Sequence, residues 1–261
     1  MAAIKWILSQ MLHPFFAASR PLVFAHRGGA ALAPENTLAA FDNGVALGSD
    51  GLELDVHLSR DGVAVVHHDP TLNRTTALSG RVRDHGSEDL RRAGVPLLAE
   101  VLRRYRDVRV IIDMKRNHPD LGREVVEVVR RADAVSRVCV ASSFGLRVLR
   151  TVRYLEPSLA TSASRAEVRW ALYRSRCRWP VRHVPYSGYQ VPERAGVTRV
   201  VSPRFVADAH GAQLAVQVWT VDTEKDARRL LGWGVDGLIT DRPDVLVPIA
   251  RDTGPIAPAD R

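Results

Sequence analysis

Short runs of β-branched and apolar residues alternate along the chain with stretches in which apolar residues recur at helical spacing. The first pattern predicts strands at residues 22–25, 51–58, 63–67, 108–114, 137–141, 158–163, 183–186, 214–220 and 237–240. The second predicts helices that include residues 38–47, 121–132, 144–155, 166–174 and 225–231. Strands that alternate with helices pair in parallel, because each helix returns the chain to the same end of the sheet. Roughly eight such units predict an α/β fold, a closed (β/α)8 barrel.

Three stretches do not follow this rhythm. Residues 1–20 carry several apolar side chains interrupted by Pro14 and polar residues, which predicts an N-terminal helix that plugs the bottom of the domain. An interfacial membrane helix and an export signal are the alternatives for this stretch. Residues 69–96, rich in Pro, Gly and charge, predict an insertion above the barrel mouth after strand two. We therefore expect a barrel over residues 21–250 and a frayed tail at 251–261.

Composition excludes several classes of protein. Hydrophobic residues make up 46% of the 261 residues, enough to bury a core, so wholesale disorder is excluded. No apolar run approaches the roughly 20 residues of a membrane span. Cys139 and Cys177 are too few for a disulfide framework or a four-thiolate zinc site. Two cysteines fit a reducing compartment, so we expect a cytoplasmic protein, with residues 1–20 as the place of any peripheral membrane contact.

The basic residues are numerous and are nearly all arginine. The net charge is +8, and only Lys5, Lys115 and Lys225 among the 37 basic residues are lysine. Most arginines are spaced as on the solvated faces of helices. Because no basic stretch with interleaved aromatics and no helix-turn-helix pattern occurs, we expect no nucleic-acid partner. A phosphorylated small molecule or an anionic lipid surface is the better match for this charge.

Candidate chemistry lies where the first two strands end, which in a barrel is the functional face. His26 and Arg27 end strand one, and offer a group that exchanges protons near neutral pH and a forked donor for phosphate oxygens. Glu53 and Asp55 are two apart on strand two and therefore share one face. Two inward carboxylates need a compensating positive charge, either Arg27 or a hard divalent cation. His57 shares that face but lies farther along, toward the rim.

Further candidates end later strands. Asp113 and Lys115 share a face at the end of strand 108–114, and a lysine at that depth in an arginine-rich chain indicates that a compact ammonium is needed. His67 and His68 point to opposite sides, so one of them at most faces the site. Trp219 offers an aromatic wall or, alternatively, packs beneath a rim loop.

Several of these segments, in this order, resemble the glycerophosphodiester phosphodiesterase family. They are Ala25-His26-Arg27-Gly28, Pro34-Glu35-Asn36-Thr37, Glu53-Leu54-Asp55-Val56, His68-Asp69, Trp219-Thr220-Val221 and Gly234-Val235-Asp236-Gly237-Leu238-Ile239-Thr240-Asp241. The resemblance extends from about residue 22 to 247. It implies a TIM barrel that hydrolyses a glycerophosphodiester to an alcohol and glycerol 3-phosphate with a divalent metal, usually Mg²⁺ or Ca²⁺.

The resemblance also implies roles for individual residues. His26 and His68 match the acid–base pair, Arg27 and Lys115 the phosphate contacts, and Glu53 and Asp55 the metal ligands. The family usually has Glu where this chain has Asp113, which is one methylene shorter; we expect direct metal ligation by Asp113, with a bridging water as the alternative. We also expect Trp219 to contact substrate.

Other functions fit parts of the pattern. The related sphingomyelinase D branch also has Asp at the position of Asp113, which makes a phospholipase D-like reaction on lysophospholipid or sphingomyelin one alternative. A catalytically dead barrel that binds phosphate or lipid is another. A barrel isomerase or aldolase would use Lys115 as a Schiff base and would need no metal. The sequence leaves the oligomeric state open.

Overall fold

A computed structural model describes residues 12–179 and 181–253, which contain eleven strands. In chain order these are β1 Leu22–His26, β2 Gly51–Leu58, β3 Ala64–Val66, β4 Arg109–Met114, β5 Val138–Ala141, β6 Ala160–Thr161, β7 Gly188–Pro192, β8 Arg194–Ala195, β9 Thr198–Arg199, β10 Ala215–Trp219 and β11 Gly237–Thr240. Eight of them pair in parallel in the order β1-β2-β4-β5-β6-β7-β10-β11. β11 pairs with β1, and a bridge between Ser162 and Gly188 joins the β6 and β7 segments. The ring is therefore closed, and the predicted (β/α)8 barrel is confirmed.

Helices surround this ring. They are α1 Leu38–Ala46, α2 Ser87–Arg92, α3 Leu98–Arg104, α4 Pro119–Arg131, α5 Leu146–Leu155, α6 Arg165–Arg176, α7 Pro203–His210, α8 Glu224–Leu231 and α9 Pro243–Asp252. Side-chain oxygens cap several of them; Ser164, for example, accepts from the Glu167 amide at the start of α6. Apolar residues of the strands, such as Leu54 and Met114, pack outward against the helices. Within the described part of the chain, no helix has the length and apolarity needed to cross a bilayer.

Aromatic residues close the amino-terminal end of the barrel. Phe15 and Phe16, in a single 3-10 turn at Pro14–Phe16, are buried among inward-facing strand residues. The Phe15 ring stacks on Phe24 at 5.9 Å, and a Cβ at Gly188 would lie 2.9 Å from the Phe16 ring. Arg109 holds the turn by donating to the carbonyl oxygen of Phe15 at 3.0 Å. Residues 12–20 therefore pack beneath the barrel, and residues 1–11 of the expected helix lie outside the described residues.

The prediction of a strand at residues 183–186 is wrong, because these residues form a loop. The strand at this place in the ring is β7, which begins two residues later at Gly188. Tyr186 has the burial of a strand residue, but it is buried by contact with Tyr189, whose hydroxyl lies 3.0 Å from its own. Because a buried tyrosine pair in a loop has the same apolar pattern as a short strand, the sequence favoured the wrong segment.

The segment 69–96 contains more structure than an irregular insertion. It includes α2 and a 3-10 turn at Val82–Asp84, and Leu72, Val82 and Leu90 form a small core against Val65 of β3. β3 itself pairs antiparallel with the last three residues of β2, Val56–Leu58. Of the whole segment only Pro70 lines the central cavity. The segment thus lies at the carboxyl end of β2, where the barrel mouth opens, and it is an ordered insertion with a small core of its own.

Candidate active site

A cavity of about 970 Å³ opens at the carboxyl ends of the barrel strands. The predicted site residues that line it are His26, Arg27, Glu53, His68, Asp113, Lys115 and Trp219. Asp55 lies directly behind this surface and is 1% exposed. These residues come from four strands, β1, β2, β4 and β10, and from the loop that carries His68, which are far apart in sequence. The closed ring brings them together because all parallel strands end on the same side.

His26 ends β1 and is held by a carboxylate from the last strand. Its Nδ1 lies 2.7 Å from Oδ1 of Asp241, while its Nε2 lies 3.8 Å from Oε2 of Glu53. Burial would lower the pKa of His26, but the negative charges of Glu53 and Asp241 outweigh it and raise that pKa above its usual value. A carboxylate on Nδ1 fixes the ring orientation and the tautomer, and directs the other nitrogen to the cavity.

The turn after β1 gives Arg27 its position. Arg27 and Gly28 both have positive φ, 51° and 90°. A Cβ on Gly28 would lie 2.7 Å from the Ala40 backbone, so only glycine lets the turn rest on α1. The tight turn points the Arg27 amide at Glu53, 3.2 Å away, and places its guanidinium Nε 3.3 Å from Asp55. Arg27 thus compensates part of the negative charge on β2.

The two carboxylates of β2 differ in their surroundings. Burial and the nearby Asp55 charge raise the pKa of Glu53 to about 7. Burial acts in the same direction on Asp55, but Lys115, Arg27 and a hydrogen bond from Asn36 at 2.8 Å lower the pKa of Asp55. The charge of Asp55 is therefore matched within the protein, whereas that of Glu53 is not.

Lys115 lies between two carboxylates. Its Nζ is 2.7 Å from Oδ1 of Asp55 and 2.6 Å from Oδ2 of Asp113. Asp113 also accepts from the amide and hydroxyl of Ser143, at 3.0 and 3.1 Å. Burial opposes the charge of Lys115, but Asp113 and Asp55 raise the pKa of that ammonium group, which stays protonated at neutral pH.

His68 is fixed by a chain of ion pairs that ends at Arg27. Its Nδ1 lies 2.7 Å from Oδ1 of Asp69, which in turn binds Arg74. Arg74 also binds Glu35, whose Oε1 accepts from Arg27 at 3.2 Å. The loop that carries His68 and the turn that carries Arg27 are therefore linked through side chains, and both residues line the cavity.

The neighbouring histidines do not face the cavity. His67 is buried on the other side of the loop, with Nε2 3.1 Å from the Thr71 carbonyl oxygen. The alternation predicted for His67 and His68 is thus confirmed. His57 is also buried, and its Nε2 lies 3.1 Å from the His68 carbonyl oxygen. Burial lowers the pKa of His57 to about 4, so it is a neutral support for the His68 backbone.

Sequence reasoning gave no role to the residues that orient the two histidines, as well as Arg27 and Asp55. Asp69, Asp241, Glu35 and Asn36 all occur in the motifs quoted above, but their function depends on long-range contacts. Asp241 is 215 residues from His26 along the chain. Their location in the sequence could have identified them as candidates, because each lies next to the carboxyl end of a strand or in the loop that follows a strand.

A barrel whose mouth combines two carboxylate-held histidines with buried carboxylates, Arg27 and Lys115 has the parts of a phosphoester hydrolase. The sequence pattern of the glycerophosphoryl diester phosphodiesterase family matches residues 26–245. The chain belongs to this family, and it is an enzyme, a glycerophosphodiester phosphodiesterase.

Individual relatives agree with this assignment. The glycerophosphodiester phosphodiesterase of Bacillus altitudinis is 33% identical over 250 residues, 88% of this chain and 98% of that one. The probable glycerophosphodiester phosphodiesterase 2 of Mycobacterium tuberculosis is 36% identical over 244 residues, 88% and 91% of the two chains. Among solved structures, a phosphodiesterase of Oleispira antarctica in complex with the product sn-glycerol-3-phosphate superposes with a TM-score of 0.73 at 25% identity, covering 89% of this chain and 97% of the other.

Proposed function

We propose that this enzyme releases glycerol 3-phosphate and an alcohol from a glycerophosphodiester, with His26 and His68 as the proton carriers. The observation that supports this proposal is the matched arrangement of the two rings. Each lines the cavity, and each has its Nδ1 2.7 Å from a carboxylate oxygen. The Nε2 atoms make no hydrogen bond to the described residues and are left for the substrate.

We further propose that Glu53 and Asp55, with Asp113, hold a divalent cation, Mg²⁺ or Ca²⁺. No three carboxylate, histidine or cysteine side chains of residues 12–179 and 181–253 form a preformed cluster of metal ligands, since Lys115 separates Asp55 from Asp113. The donor set nevertheless fits a hard cation, because all its atoms are oxygens. Glu53 is the strongest support, as a buried carboxylate whose charge the protein leaves unmatched.

The cation would draw negative charge from the non-bridging oxygens of the phosphodiester. Arg27 supplies fixed donors at the same cavity wall, and Lys115 supplies a compact positive charge beside the carboxylates. Because carboxylates already hold the side chains of Arg27 and Lys115 in place, these two side chains need no large reorganisation when the substrate binds.

The two histidines then act as general base and general acid. One Nε2 takes a proton from the attacking hydroxyl, and the other gives a proton to the departing alcohol oxygen, a division that contributes about 10²–10⁴-fold. The attacking group is water or the neighbouring glycerol hydroxyl, which would form a cyclic phosphate that water opens later. Both routes require the same two proton carriers at the same atoms.

The Schiff-base alternative for Lys115 has little support. A lysine must be neutral to attack a carbonyl group, and Lys115 lies within 2.7 Å of two carboxylates. These contacts stabilise the charged ammonium form. Lys115 therefore fits the binding of an anion better than it fits nucleophilic attack.

One experiment tests the reaction and the metal together. The purified enzyme is incubated with glycerophosphocholine, glycerophosphoethanolamine, glycerophosphoglycerol and glycerophosphoinositol, and glycerol 3-phosphate is measured. We expect release from at least one diester, loss of release in EDTA and recovery with added Mg²⁺ or Ca²⁺. Release that persists in EDTA would contradict the metal assignment, and the absence of release from every diester with either metal would contradict the proposed reaction.

A further inference from the structure

Helix α6 carries an exposed aromatic cluster for which the catalytic site gives no reason. Trp170, Tyr173 and Trp179 are each more than half exposed. The Trp170 and Tyr173 rings stack with centroids 5.7 Å apart, and the Arg174 guanidinium lies 5.9 Å from the Trp170 ring and 4.9 Å from that of Trp179. Large aromatics rarely gather on a surface that faces only water. We call these four residues, with Arg176 and Arg178, the α6 surface.

Two arginines beside this cluster, Arg176 and Arg178, lack, in the part of the chain that the structure describes, the carboxylate partner that several arginines of other helices have. On α4 and α8, Arg123, Arg131 and Arg228 pair with a carboxylate three or four positions away. Arg176 and Arg178 are exposed, and no carboxylate among the described residues lies within 4.0 Å of either. The single acidic residue of α6, Glu167, is bound to Arg153. Arg176 and Arg178 therefore give this surface positive charge that no carboxylate of the described residues pairs with.

The position of this surface relates it to the cavity. Val168, Arg169 and Leu172 of α6 line the cavity, while Trp170 and Tyr173 lie on the adjacent, outward face of the same helix. Arg176, Arg178 and Trp179 lie at and beyond the carboxyl end of α6, farther from the cavity, because the helix runs back toward the amino ends of the strands.

We propose that the α6 surface docks the enzyme onto an anionic phospholipid membrane. Tryptophan and tyrosine are suited to the boundary between head groups and acyl chains, because each has an apolar ring and one polar atom. Arginines beside them are attracted to anionic head groups, and the aromatic rings give the contact an apolar component that a purely polar partner would not use. Within residues 1–20, Phe15 and Phe16 are buried beneath the barrel, and the membrane contact expected from that stretch stays a separate prediction.

The test is co-sedimentation with vesicles of phosphatidylcholine alone or of phosphatidylcholine mixed with phosphatidylglycerol. We expect binding to the mixed vesicles that weakens as salt is raised, and little binding to the neutral ones. The double variant Trp170→Ser/Trp179→Ser should bind about tenfold more weakly, because less apolar area enters the interface. Arg176→Gln and Arg178→Gln should each weaken binding about fivefold.

Matched controls come from outside the α6 surface. Tyr154→Ser removes an aromatic residue of α5 that is 85% exposed, and Arg103→Gln removes an exposed charge of α3. Neither control should change vesicle binding. Circular dichroism of each variant verifies the fold, and hydrolysis of soluble glycerophosphocholine should be unchanged, since none of the substituted residues lines the cavity.

Several results would overturn the inference. They are equal binding to neutral and anionic vesicles, no binding to either, or equal losses in the control variants. Concentration-dependent self-association that disappears in Trp170→Ser/Trp179→Ser would assign the surface to a second copy of the chain. Displacement from vesicles by DNA with retained DNA binding would assign it to nucleic acid. Because vesicle binding is scored without turnover, failure of the proposed hydrolysis would leave this test intact.

Discussion

Most of the candidate reactive side chains in the cavity contact a carboxylate or an ammonium group of the protein. Asp241 faces His26, Asp69 faces His68, and Lys115 faces Asp113 at 2.6 Å. Glu53 is the exception, because its nearest cationic group is the His26 imidazole at 3.8 Å. An unmatched buried carboxylate costs free energy in the absence of a ligand, which makes Glu53 the most informative single position for the proposed cation.

Neutral replacement of the β2 carboxylates should separate catalysis from folding. We expect Glu53→Gln and Asp55→Asn each to lower kcat by orders of magnitude, because the cation would lose a ligand. Glu53→Gln should leave the melting temperature unchanged or raise it, since it removes an unmatched charge from a buried position. Glu127→Gln, on the exposed face of α4, is the control. Unchanged metal dependence in both site variants would show that the ligands are elsewhere.

The two adjacent histidines give a test of the strand-end geometry. His68→Ala should lower kcat by about 10²–10⁴-fold, because a proton carrier is removed. His67→Ala should leave kcat nearly unchanged and cost about 1 kcal/mol of stability, the value of its bond to the Thr71 carbonyl. Steady-state kinetics and urea unfolding measure the two effects. An inactive His67→Ala beside an active His68→Ala would reverse the assignment.

The length of the side chain at residue 113 is a further variable. Asp113 is already enclosed by Lys115 and by two hydrogen bonds from Ser143. If it ligates the cation directly, the added methylene of Asp113→Glu should crowd the ion and weaken its binding. Asp and Glu carry the same charge, so the comparison measures the effect of side-chain length alone. Titration of Mg²⁺ and Ca²⁺ decides the point, and a clearly lower Kd in the Glu variant would instead support ligation through water.

At the scale of elements, the alternation of side chains along strands correctly predicted which side chains share a face. It placed Glu53 with Asp55, and His67 opposite His68, in agreement with the structure. Helices with little apolar periodicity, such as α2 with a single buried residue, were not predicted. The strand β7 was misplaced because tertiary contact between Tyr186 and Tyr189, rather than local pattern, decides which residues are buried there.

The 3-10 turn beneath the barrel should make stability depend on pH. The Nδ1 of His13 accepts from the Phe15 amide, so the turn requires the neutral ring. Burial lowers the pKa of His13, although a hydrogen bond to the Ser158 carbonyl partly opposes this. The unfolded chain therefore binds more protons below the usual pKa of about 6.5, and this contribution to stability is complete above that pH and falls as the pH decreases.

The variant His13→Asn isolates this contribution, because Asn keeps an acceptor oxygen but does not titrate. Urea unfolding at pH of about 7.5 and about 5.5 measures the free energy of unfolding of both proteins. We expect a smaller decrease on acidification in His13→Asn than in the wild type. Equal decreases would show that His13 does not contribute to the pH dependence.

At the scale of the whole molecule, the barrel and its family could be predicted from sequence, and the supporting contacts could not. The local pattern of apolar and polar residues predicts each strand and helix. The motifs at the strand ends meet in space because the ring of strands is closed. The network from Arg27 through Glu35 and Arg74 to Asp69 is different. It depends on which loops meet in space, and many of the 34 arginines have the same local sequence character as Arg74.

The bond between His26 and Asp241 joins the first barrel strand to the residue that follows the last one. The His26 ring, which we propose as a proton carrier, is therefore oriented by Asp241 only when the two ends of the barrel have met. A nascent chain still lacking β11 would carry His26, Glu53 and His68 without an aligned proton carrier on β1. With His26 in the proposed role, hydrolysis would begin only after the ribosome has delivered almost the whole barrel.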